Sequence, residues 1–368
     1  MSVAAETHIM TTLGPRRASS LSEAFRVHSA DLEVTHQALR ETGVPSLLRV
    51  ATGRGYEITL SPDQEVLVEV ARGRVFGGAS VGQRAWAPAN SVGVGTVLVI
   101  ANNRGTISET SSEDFERGWL LGQVTGNGGH NPNNSSGTYL RFWMPHHADL
   151  ADRADRIIRT MGVSRTYSGG AYNEIHRTLS IQTRALEDFV AQFLESKSKL
   201  IKPQLIEANA SLVRGFLRGF FDADGTVSGN REKGQSVRLN QSSRPNLIAV
   251  QRMLLRFGIA STICLRRNAG TSRLPNSKRE YQDYQTKANY ELIVSKDNIG
   301  VFEHAIGFED REKKARLAEF TRTSARKPYA ERFTANVTAV ETIAIQTAYE
   351  AIVQRKSEVD GNGFRIRL

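Results

Sequence analysis

Two stretches of the chain carry matching small and polar residues, and the second has the residue types for metal chemistry. Residues 215–225 read Gly-Phe-Leu-Arg-Gly-Phe-Phe-Asp-Ala-Asp-Gly, and residues 118–128 read Gly-Trp-Leu-Leu-Gly-Gln-Val-Thr-Gly-Asn-Gly. Each predicts an apolar helix, and the mid-helix glycines Gly122 and Gly219 would let the two helices approach closely. Asp224 would then lie at the end of the helix pair, where oxygen ligands suit Mg²⁺. A metal held there on a phosphate can activate water and stabilise the leaving oxygen.

The ends of the two helices are predicted from a glycine at the same place in each copy. Gly128 and Gly225 are expected to close the helices as left-handed caps, and each copy is followed by polar residues, a strand and a helix. Two unrelated buried helices, with Asp224 as a cap, would explain the glycines but not this shared order. A calcium loop beginning at Asp222 is excluded, because Lys233 stands where its closing glutamate belongs.

The elements around this repeat divide the chain into three parts. Alternating β-branched residues, as in residues 65–70, favour an all-β unit at the start of the chain. Helices and strands alternate from a helix start that Ser111 or Ser112 caps, and strands return near the end of the chain. We therefore predict a multidomain α+β protein, in which an all-β unit (residues 1–110 and 329–368) is split by a duplicated region of residues 111–328 (repeats of about 111–200 and 201–328).

The composition favours a nucleic-acid partner. The net charge of +10 and the pI of about 9.8 are typical of proteins that bind a polyanion, although a soluble protein can be basic without one. No apolar run approaches the roughly 20 residues that a bilayer crossing needs, and no signal peptide is recognisable. We expect an intracellular, cytoplasmic protein without membrane association. The single cysteine, Cys264, excludes an internal disulfide and a cysteine-based zinc site.

The second motif resembles a known one. Residues 217–225 resemble the dodecapeptide of LAGLIDADG homing endonucleases, and residues 120–128 are similar to a first copy of it. The resemblance covers roughly residues 112–325, and it includes residues 290–294 and 305–308 as the closing strand and helix of the second half. It implies a pseudo-twofold αββαββα domain in a monomer, double-stranded DNA as the partner, and cleavage with Mg²⁺ or Mn²⁺.

The resemblance also implies roles for single residues. In that family the last acid of each motif helix binds the metal, which implies a catalytic and metal-binding role for Asp224. The matching residue of the first copy is Asn127. Its amide oxygen can ligate a metal but brings no charge, so one metal site is expected to be weakened. Family members also place a basic residue beside the scissile phosphates, and Lys287 is similarly placed, with His176 or Arg177 before the corresponding strand of the first half.

The family reads DNA with curved antiparallel sheets that lie in the major groove. Arg, Asn and Gln side chains suit base edges, and basic loops suit phosphates. The resemblance implies these DNA-binding roles for Tyr139, Arg141, Trp143, Arg238, Asn240, Gln241, Arg266, Arg267, Lys278 and Arg279. Taken singly, each of these side chains also fits a solvated surface group.

The two ends of the chain resemble the splicing (Hint) domain of an intein. Ser2 stands where the first nucleophile belongs, and residues 86–100, 348–353 and 360–363 are similar to later blocks of that domain. Ends that join across an insertion are what such a β fold requires.

Several splicing positions depart from the intein pattern. Gln64 stands where the assisting histidine belongs, Ser357 replaces a second histidine, and Arg367 and Leu368 replace the terminal His-Asn pair. Neutral glutamine cannot act as an acid or base, and leucine cannot cyclise. Because the chain starts at Met1, we expect no flanking host segment for splicing to join. We therefore predict that the splicing positions are vestigial and that the chain does not splice.

Three functions follow in order. The first is a site-specific double-stranded DNA endonuclease whose splicing ability is lost. The second, favoured by Asn127, is a cleavage-impaired DNA-binding protein or a nickase. The third is a splicing-active intein, against which Gln64 and Leu368 argue.

Overall fold

The computed structural model describes residues 2–29, 32–36, 38–42, 46–71, 83–101, 111–131, 137–230, 234–275, 280–295, 297–323, 332–344 and 348–351. The chain divides into two compact units. Unit one comprises Met1–Thr106, Leu255–Thr262 and Tyr329–Leu368, and unit two comprises Ile107–Leu254 and Ile263–Pro328. Within the residues described, no helix has the length and apolarity to cross a membrane.

Unit one is built from antiparallel strands. One sheet of nine strands has the order β10-β9-β11-β22-β7-β8-β1-β23-β6, and a second sheet has the order β3-β2-β4-β5. Alternate side chains of these strands enter one core, as the two-residue period of a strand requires. The strands are β1 Ser2–Ala4, β2 His8–Thr11, β3 Gly14–Arg17, β4 Phe25–Ser29, β5 Leu32–His36, β6 Leu39–Thr42, β7 Leu47–Thr52, β8 Glu57–Leu60, β9 Glu65–Ala71, β10 Gln83–Pro88, β11 Val97–Ala101, β22 Arg332–Ile343 and β23 Ala348–Ala351.

The first half of unit two runs α-β-β-α-β-β-α. Its helix α1 begins after Ser111, whose hydroxyl accepts a hydrogen bond from the Asp114 amide at 3.2 Å, as predicted for a helix start. Its four strands form a sheet of order β12-β13-β15-β14. The elements are α1 Ser112–Asn127, β12 Gly128–His130, β13 Thr138–Trp143, α2 Ala148–Arg159, β14 Ala171–Asn173, β15 Thr178–Gln182 and α3 Arg184–Phe193, followed by the short α4 Pro203–Ile206.

The second half repeats this order and adds a two-stranded ribbon. Its main sheet has the order β16-β17-β21-β18, and the ribbon β19–β20 stands between β18 and β21 in the chain. Both halves of unit two contain helices and sheets, and unit one is built mainly from strands. The predicted mixed α+β class is therefore confirmed. The elements are α5 Ala210–Asp224, β16 Gly225–Asn230, β17 Gly234–Gln241, α6 Arg244–Arg256, β18 Thr262–Arg267, β19 Gly270–Pro275, β20 Tyr281–Thr286, β21 Asn289–Ser295, α7 Asn298–Ala305 and α8 Arg311–Thr323.

Helices α1 and α5 touch backbone to backbone through their glycines. A Cβ added at Gly122 would lie 2.2 Å from the Phe216 carbonyl oxygen, and one added at Gly219 would lie 2.1 Å from the Trp119 carbonyl oxygen. The predicted close approach is therefore confirmed. At the far end of the pair, Gly126 of α1 adjoins the side chains of Ala223 and Asp224 of α5. The two helices consequently run parallel, and both end at the same side of unit two.

The predicted left-handed caps are wrong. Gly128 has φ −90° and ψ 169°, and Gly225 has φ −77° and ψ 153°, which are extended values open to any residue. The chain passes directly from each helix into a strand, so no reversal is needed. Glycine is required there for space, because an added Cβ would lie 2.4 Å from the carbonyl oxygen of Val124 or of Phe221, respectively.

Substitution of a contact glycine is expected to destabilise unit two. Gly219→Ala places a methyl group against backbone that cannot move aside, which should lower the free energy of unfolding by about 3 kcal/mol. Gly300→Ala is the matched control, since an added Cβ at Gly300 of helix α7 meets nothing within 4 Å. That change should be neutral or slightly stabilising. Urea unfolding of both variants measures the difference, and equal midpoints would contradict the backbone contact.

Candidate functional site at the end of the helix pair

Asp224 is the last residue of α5, and its carboxylate lies against the backbone of α1. A Cβ added at Gly126 would lie 3.2 Å from its Oδ2. The Gln241 side chain, at the end of β17, donates from Nε2 to the same oxygen at 2.5 Å. Burial raises the pKa of Asp224, while the Gln241 hydrogen bond and the positive charges of Lys199 and Lys313 act in the opposite direction. Asp224 is therefore a half-buried carboxylate whose pKa two neighbouring lysines help to lower.

Asn127 occupies the matching place at the end of α1. Its Nδ2 donates to the Gln123 Oε1 at 3.3 Å, and Gln123, which is fully buried, donates to the Gly219 carbonyl oxygen at 3.2 Å. The amide nitrogen of Asn127 is thus the engaged atom, and its carbonyl oxygen is the atom that can ligate a metal. The helix pair brings Asn127 and Asp224 to the same end, as predicted from the repeat.

Two half-buried lysines, Lys199 and Lys313, donate to backbone carbonyl oxygens at the ends of the two helices. Lys199 donates from Nζ to the carbonyl oxygens of Thr125 and Gly128, both at 2.8 Å. Lys313 donates to the carbonyl oxygens of Asp222 and, at 3.4 Å, Phe221. Helix carboxyl ends carry partial negative charge, which favours a cation there.

Burial lowers the pKa of both lysines, and the carboxylate of Asp224 raises it in each case. Sequence reasoning missed this pair. Lys199 and Lys313 both lie beyond the last strand of their half, and that shared position is the only signal in the sequence that would have found them.

The donors at this site fit a divalent cation only with help from a substrate. Across the residues described, no group of three or more His, Cys, Asp or Glu side chains is arranged to hold a metal. Asp224 supplies carboxylate oxygens and Asn127 an amide oxygen, which are ligand types that Mg²⁺ accepts. Mg²⁺ commonly keeps waters and takes further oxygens from phosphates. The residues present therefore fit a metal bound jointly with a phosphodiester, more strongly on the Asp224 side.

Lys287, predicted to lie beside the scissile phosphates, belongs to the second half of unit two. It is exposed in the connection between β20 and β21, three residues before Tyr290, which pairs with Gln241. Its catalytic role stays a prediction. In the first half, His176 is exposed and Arg177 has a positive φ of 49°, both in the turn before β15.

The outward face of the first sheet carries the side chains predicted to bind DNA. Along β13, the buried Leu140 and Phe142 alternate with Tyr139, Arg141 and Trp143, of which Trp143 is 49% exposed. The guanidinium of Arg141 lies 5.0 Å from the centre of the Tyr139 ring. This face is therefore a basic and aromatic surface, suited to nucleic acid.

The equivalent face of the second sheet is organised by a buried acid. Arg238 forms an ion pair with Glu291 at 3.2 Å, and Arg266 approaches the same carboxylate at 3.8 Å. Glu291 is 3% exposed and was missed at the sequence level, because a single acid in an apolar strand has no distinctive pattern. Asn240 lies opposite Glu291 on this face, whereas Gln241 contacts Asp224.

The remaining predicted DNA contacts and the splicing positions are placed as follows. Arg267 is exposed at the end of β18, and Ser2 in β1 pairs with Glu350 of β23. Gln64 is buried in unit one and donates to the Glu65 carbonyl oxygen at 3.1 Å. Outside the described residues lie Lys278, Arg279, Ser357, Arg367 and Leu368.

Residues 211–307, which span most of the second half of unit two, match the model of the LAGLIDADG-like domain family. The chain is 24% identical over 229 residues to the ribonucleoside-diphosphate reductase NrdEB subunit alpha of Bacillus subtilis strain 168, which covers 58% of this chain and 21% of that protein. It is 26% identical over 140 residues to the DNA-directed RNA polymerase subunit Rpo1C of Methanocaldococcus jannaschii. That match covers 38% of this chain and 14% of the polymerase subunit. The chain thus spans no more than about a fifth of these relatives.

Solved structures with a partial likeness include homing endonucleases bound to DNA. I-DmoI in complex with DNA and Ca has a TM-score of 0.39 at 17% identity and covers 57% of this chain and 100% of that one. I-DmoI in complex with DNA and Mn has a TM-score of 0.35 at 17% identity, and it covers 53% of this chain and 97% of that one. I-WcaI bound to its DNA recognition sequence has a TM-score of 0.36 at 17% identity, and it covers 57% of this chain and 88% of that one. By the family match, residues 211–307 are similar to a LAGLIDADG-like domain.

Proposed function

We propose that this chain is a site-specific double-stranded DNA endonuclease that works as a monomer in the cytoplasm with Mg²⁺ or Mn²⁺. The observation that carries the proposal is the half-buried carboxylate of Asp224 at the end of the helix pair, where the half-buried Lys199 and Lys313 donate to backbone carbonyl oxygens of the two helices. Carboxylate and amide oxygens can hold a divalent cation, and ammonium groups can offset phosphate charge during hydrolysis of a phosphodiester. The LAGLIDADG-like domain match and the basic composition support it.

Each group at the site has a defined task in this proposal. Asp224 would hold a divalent cation together with the scissile phosphate, and such a cation would supply activation of water and stabilisation of the leaving oxygen. Gln241 fixes the Asp224 carboxylate in position through its hydrogen bond. Lys199 and Lys313 place positive charge beside the phosphates, and their lowered pKa values favour proton transfer nearer neutral pH.

The neutral Asn127 favours a second candidate, a protein that nicks one strand or binds DNA without cutting it. The Asn127 side has an amide oxygen where the Asp224 side has a carboxylate, so its attraction for a cation is weaker. Unequal cleavage of the two strands is the signature of this arrangement. Only a complete lack of nicks would leave DNA binding as the function.

We further propose that the outward faces of the two sheets bind the DNA. Arg141 and Trp143 in the first half, and Arg238, Asn240 and Arg266 in the second, lie on these faces. Within the second half, Glu291 holds Arg238 and Arg266, which limits the directions in which their guanidinium groups can reach a base edge.

Arg267→Ala is expected to weaken DNA binding about equally for all sequences. A lost phosphate contact should lower the slope of log K against log salt concentration by about one. Arg311→Ala is the matched control, because Arg311 is an exposed arginine of α8 paired with Asp149 at 2.7 Å. Fluorescence anisotropy across a salt series measures both slopes. Equal slopes for the two variants would place the phosphates elsewhere.

Unit one is proposed to be a splicing-type domain that no longer splices. In support, β1 with Ser2 pairs with β23, so the two ends of the unit come together. Gln64 is buried where an assisting histidine is expected from the resemblance, and its amide cannot transfer a proton. The chain placed between two reporter segments is expected to leave them unjoined, and a ligated product would overturn this part.

The function is tested on supercoiled plasmid carrying a randomised insert, with Mg²⁺ or Mn²⁺. Selection of nicked and linear molecules, followed by sequencing, is expected to recover one long site that is cut with strand bias. Recovery of no site from binding-competent protein would overturn the proposed activity. A single cloned site then serves the variants described below.

A further inference from the structure

A buried hydrogen-bonded cluster links the first motif helix to the lysine of the second half. The indole of Trp119 in α1 donates from Nε1 to Oδ2 of Asp222 in α5 at 2.9 Å. Oδ1 of the same carboxylate accepts from the backbone amides of Glu309 at 2.8 Å and Asp310 at 3.2 Å. Asp222 is 3% exposed and Trp119 is fully buried. We refer to these four residues as the clasp.

The clasp fixes the segment that carries Lys313. The Asp310 carboxylate accepts from the Lys313 backbone amide at 2.9 Å, which starts helix α8. The Lys313 side chain then returns to the carbonyl oxygens of Asp222 and Phe221. Asp222 thus holds the amides before α8 with its side chain and the ammonium of α8 with its backbone. A shift of Asp222 would move both ends of this loop together.

The first half holds its lysine by different contacts. Thr125 stands at the place of Asp222 and donates from its hydroxyl to the Leu121 carbonyl oxygen at 2.8 Å. Lys199 is positioned by Asn246, whose Nδ2 donates to its carbonyl oxygen at 3.0 Å and whose Oδ1 accepts from the Ile201 amide at 3.0 Å. A change in the clasp should therefore act on one lysine only.

We infer that Trp119 is a positioning residue for Lys313, and through it for cleavage of one DNA strand. The inference rests on the proposed endonuclease function and extends it. The indole lies in the helix of one half, whereas the lysine that it positions belongs to the other half. Removal of the Nε1 donor frees Asp222 to turn, which loosens residues 309–313 and displaces the Lys313 ammonium. Displacement of a catalytic group by about 1 Å can slow a reaction by one to two orders of magnitude.

The test uses Trp119→Phe, which removes the donor and keeps an aromatic ring. Phe216→Leu is the matched control, because Phe216 is the equivalent, fully buried residue of α5 and has no polar side-chain atom. Lys313→Met and Lys199→Met identify the strand served by each lysine. Trp119→Phe is expected to lower, on the order of tenfold, the cleavage rate of the same DNA strand whose cleavage Lys313→Met slows. The strand that Lys199→Met slows should be cut at the unaltered rate.

Amide hydrogen exchange on the free protein supplies a readout that is independent of cleavage. Trp119→Phe should raise exchange over residues 309–314 and leave residues 195–201 unchanged, while Phe216→Leu should not raise exchange selectively at residues 309–314. Asp222→Asn leaves one side-chain oxygen to accept from the Trp119 indole and the two backbone amides. It should therefore also raise exchange over residues 309–314. Unchanged exchange at residues 309–314, or equal slowing of both strands, would overturn the inference. If the unaltered chain cuts no DNA, the proposed function and the positioning role fail together, whereas the exchange result still tests the clasp.

Discussion

Asp224→Asn is expected to abolish cleavage of both strands while DNA binding persists. Asp224 supplies a charged oxygen ligand at the end of α5, beside Gly126 of α1. Loss of a metal-binding charge removes about 4 kcal/mol of transition-state stabilisation, or about 1000-fold in rate. The measurement is the initial rate of nicking on the cloned site, with anisotropy for affinity.

The fold should survive this change. Asp224 is held by Gln241 through one hydrogen bond, which the amide oxygen of asparagine can still accept. Burial raises the pKa of Asp224, so a neutral group there should be at least as stable as the ion. Asp224→Asn with full cleavage activity would contradict the proposed site. Loss of DNA binding in this variant would indicate that Asp224 supports the structure instead.

Asn127→Asp is expected to speed cleavage of the slower strand. A second carboxylate would give the first-half side the charge that it lacks, and the gain should be about tenfold or more. Strand-specific labelling on the supercoiled site measures it as a shift from nicked to linear product. Asn127→Ala is the control for loss of the hydrogen bond to Gln123, and it should not speed either strand.

The added charge should also have a cost that metal relieves. Without metal, two carboxylates at the end of one helix pair repel each other, so Asn127→Asp should lower the midpoint of thermal unfolding. Mg²⁺ should restore this midpoint more in the variant than in the unaltered protein. The slower strand could fail to be cut faster even though Mg²⁺ raises the midpoint of thermal unfolding of the variant. That result would mean that a lysine, and not Asn127, limits the rate of cleavage of that strand.

The motif helices could be predicted because their signals are local and strong. Gly122 and Gly219 recur at matching positions in two apolar stretches, and only close helix contact explains both. The cap geometry at Gly128 was predicted wrongly, because the same residue type serves either a left-handed turn or a tight backbone contact. The tertiary surroundings decide between these uses.

The lysines and the clasp could not be predicted from local pattern. Lys313 reaches Asp222 across 91 residues of chain, and Trp119 reaches it across 103. No periodicity encodes such pairs. A tryptophan in an apolar helix is typical of a core residue, and its single polar atom gains significance only when Asp222 is seen beside it.

The β19–β20 ribbon makes the two halves of unit two unequal, which bears on the direction in which the proposed DNA complex would form. It belongs to the second half, and in the described part of the first half β14 and β15 follow each other without a counterpart. Its exposed surface includes Tyr281 and Arg273. A duplicated domain of two identical halves would bind a palindromic site equally well in either direction. In the proposed complex with DNA, the ribbon would give the two directions of binding different contacts. Each DNA strand would then meet the same half of the protein, and any difference between the Asp224 and Asn127 sides would always fall on the same strand.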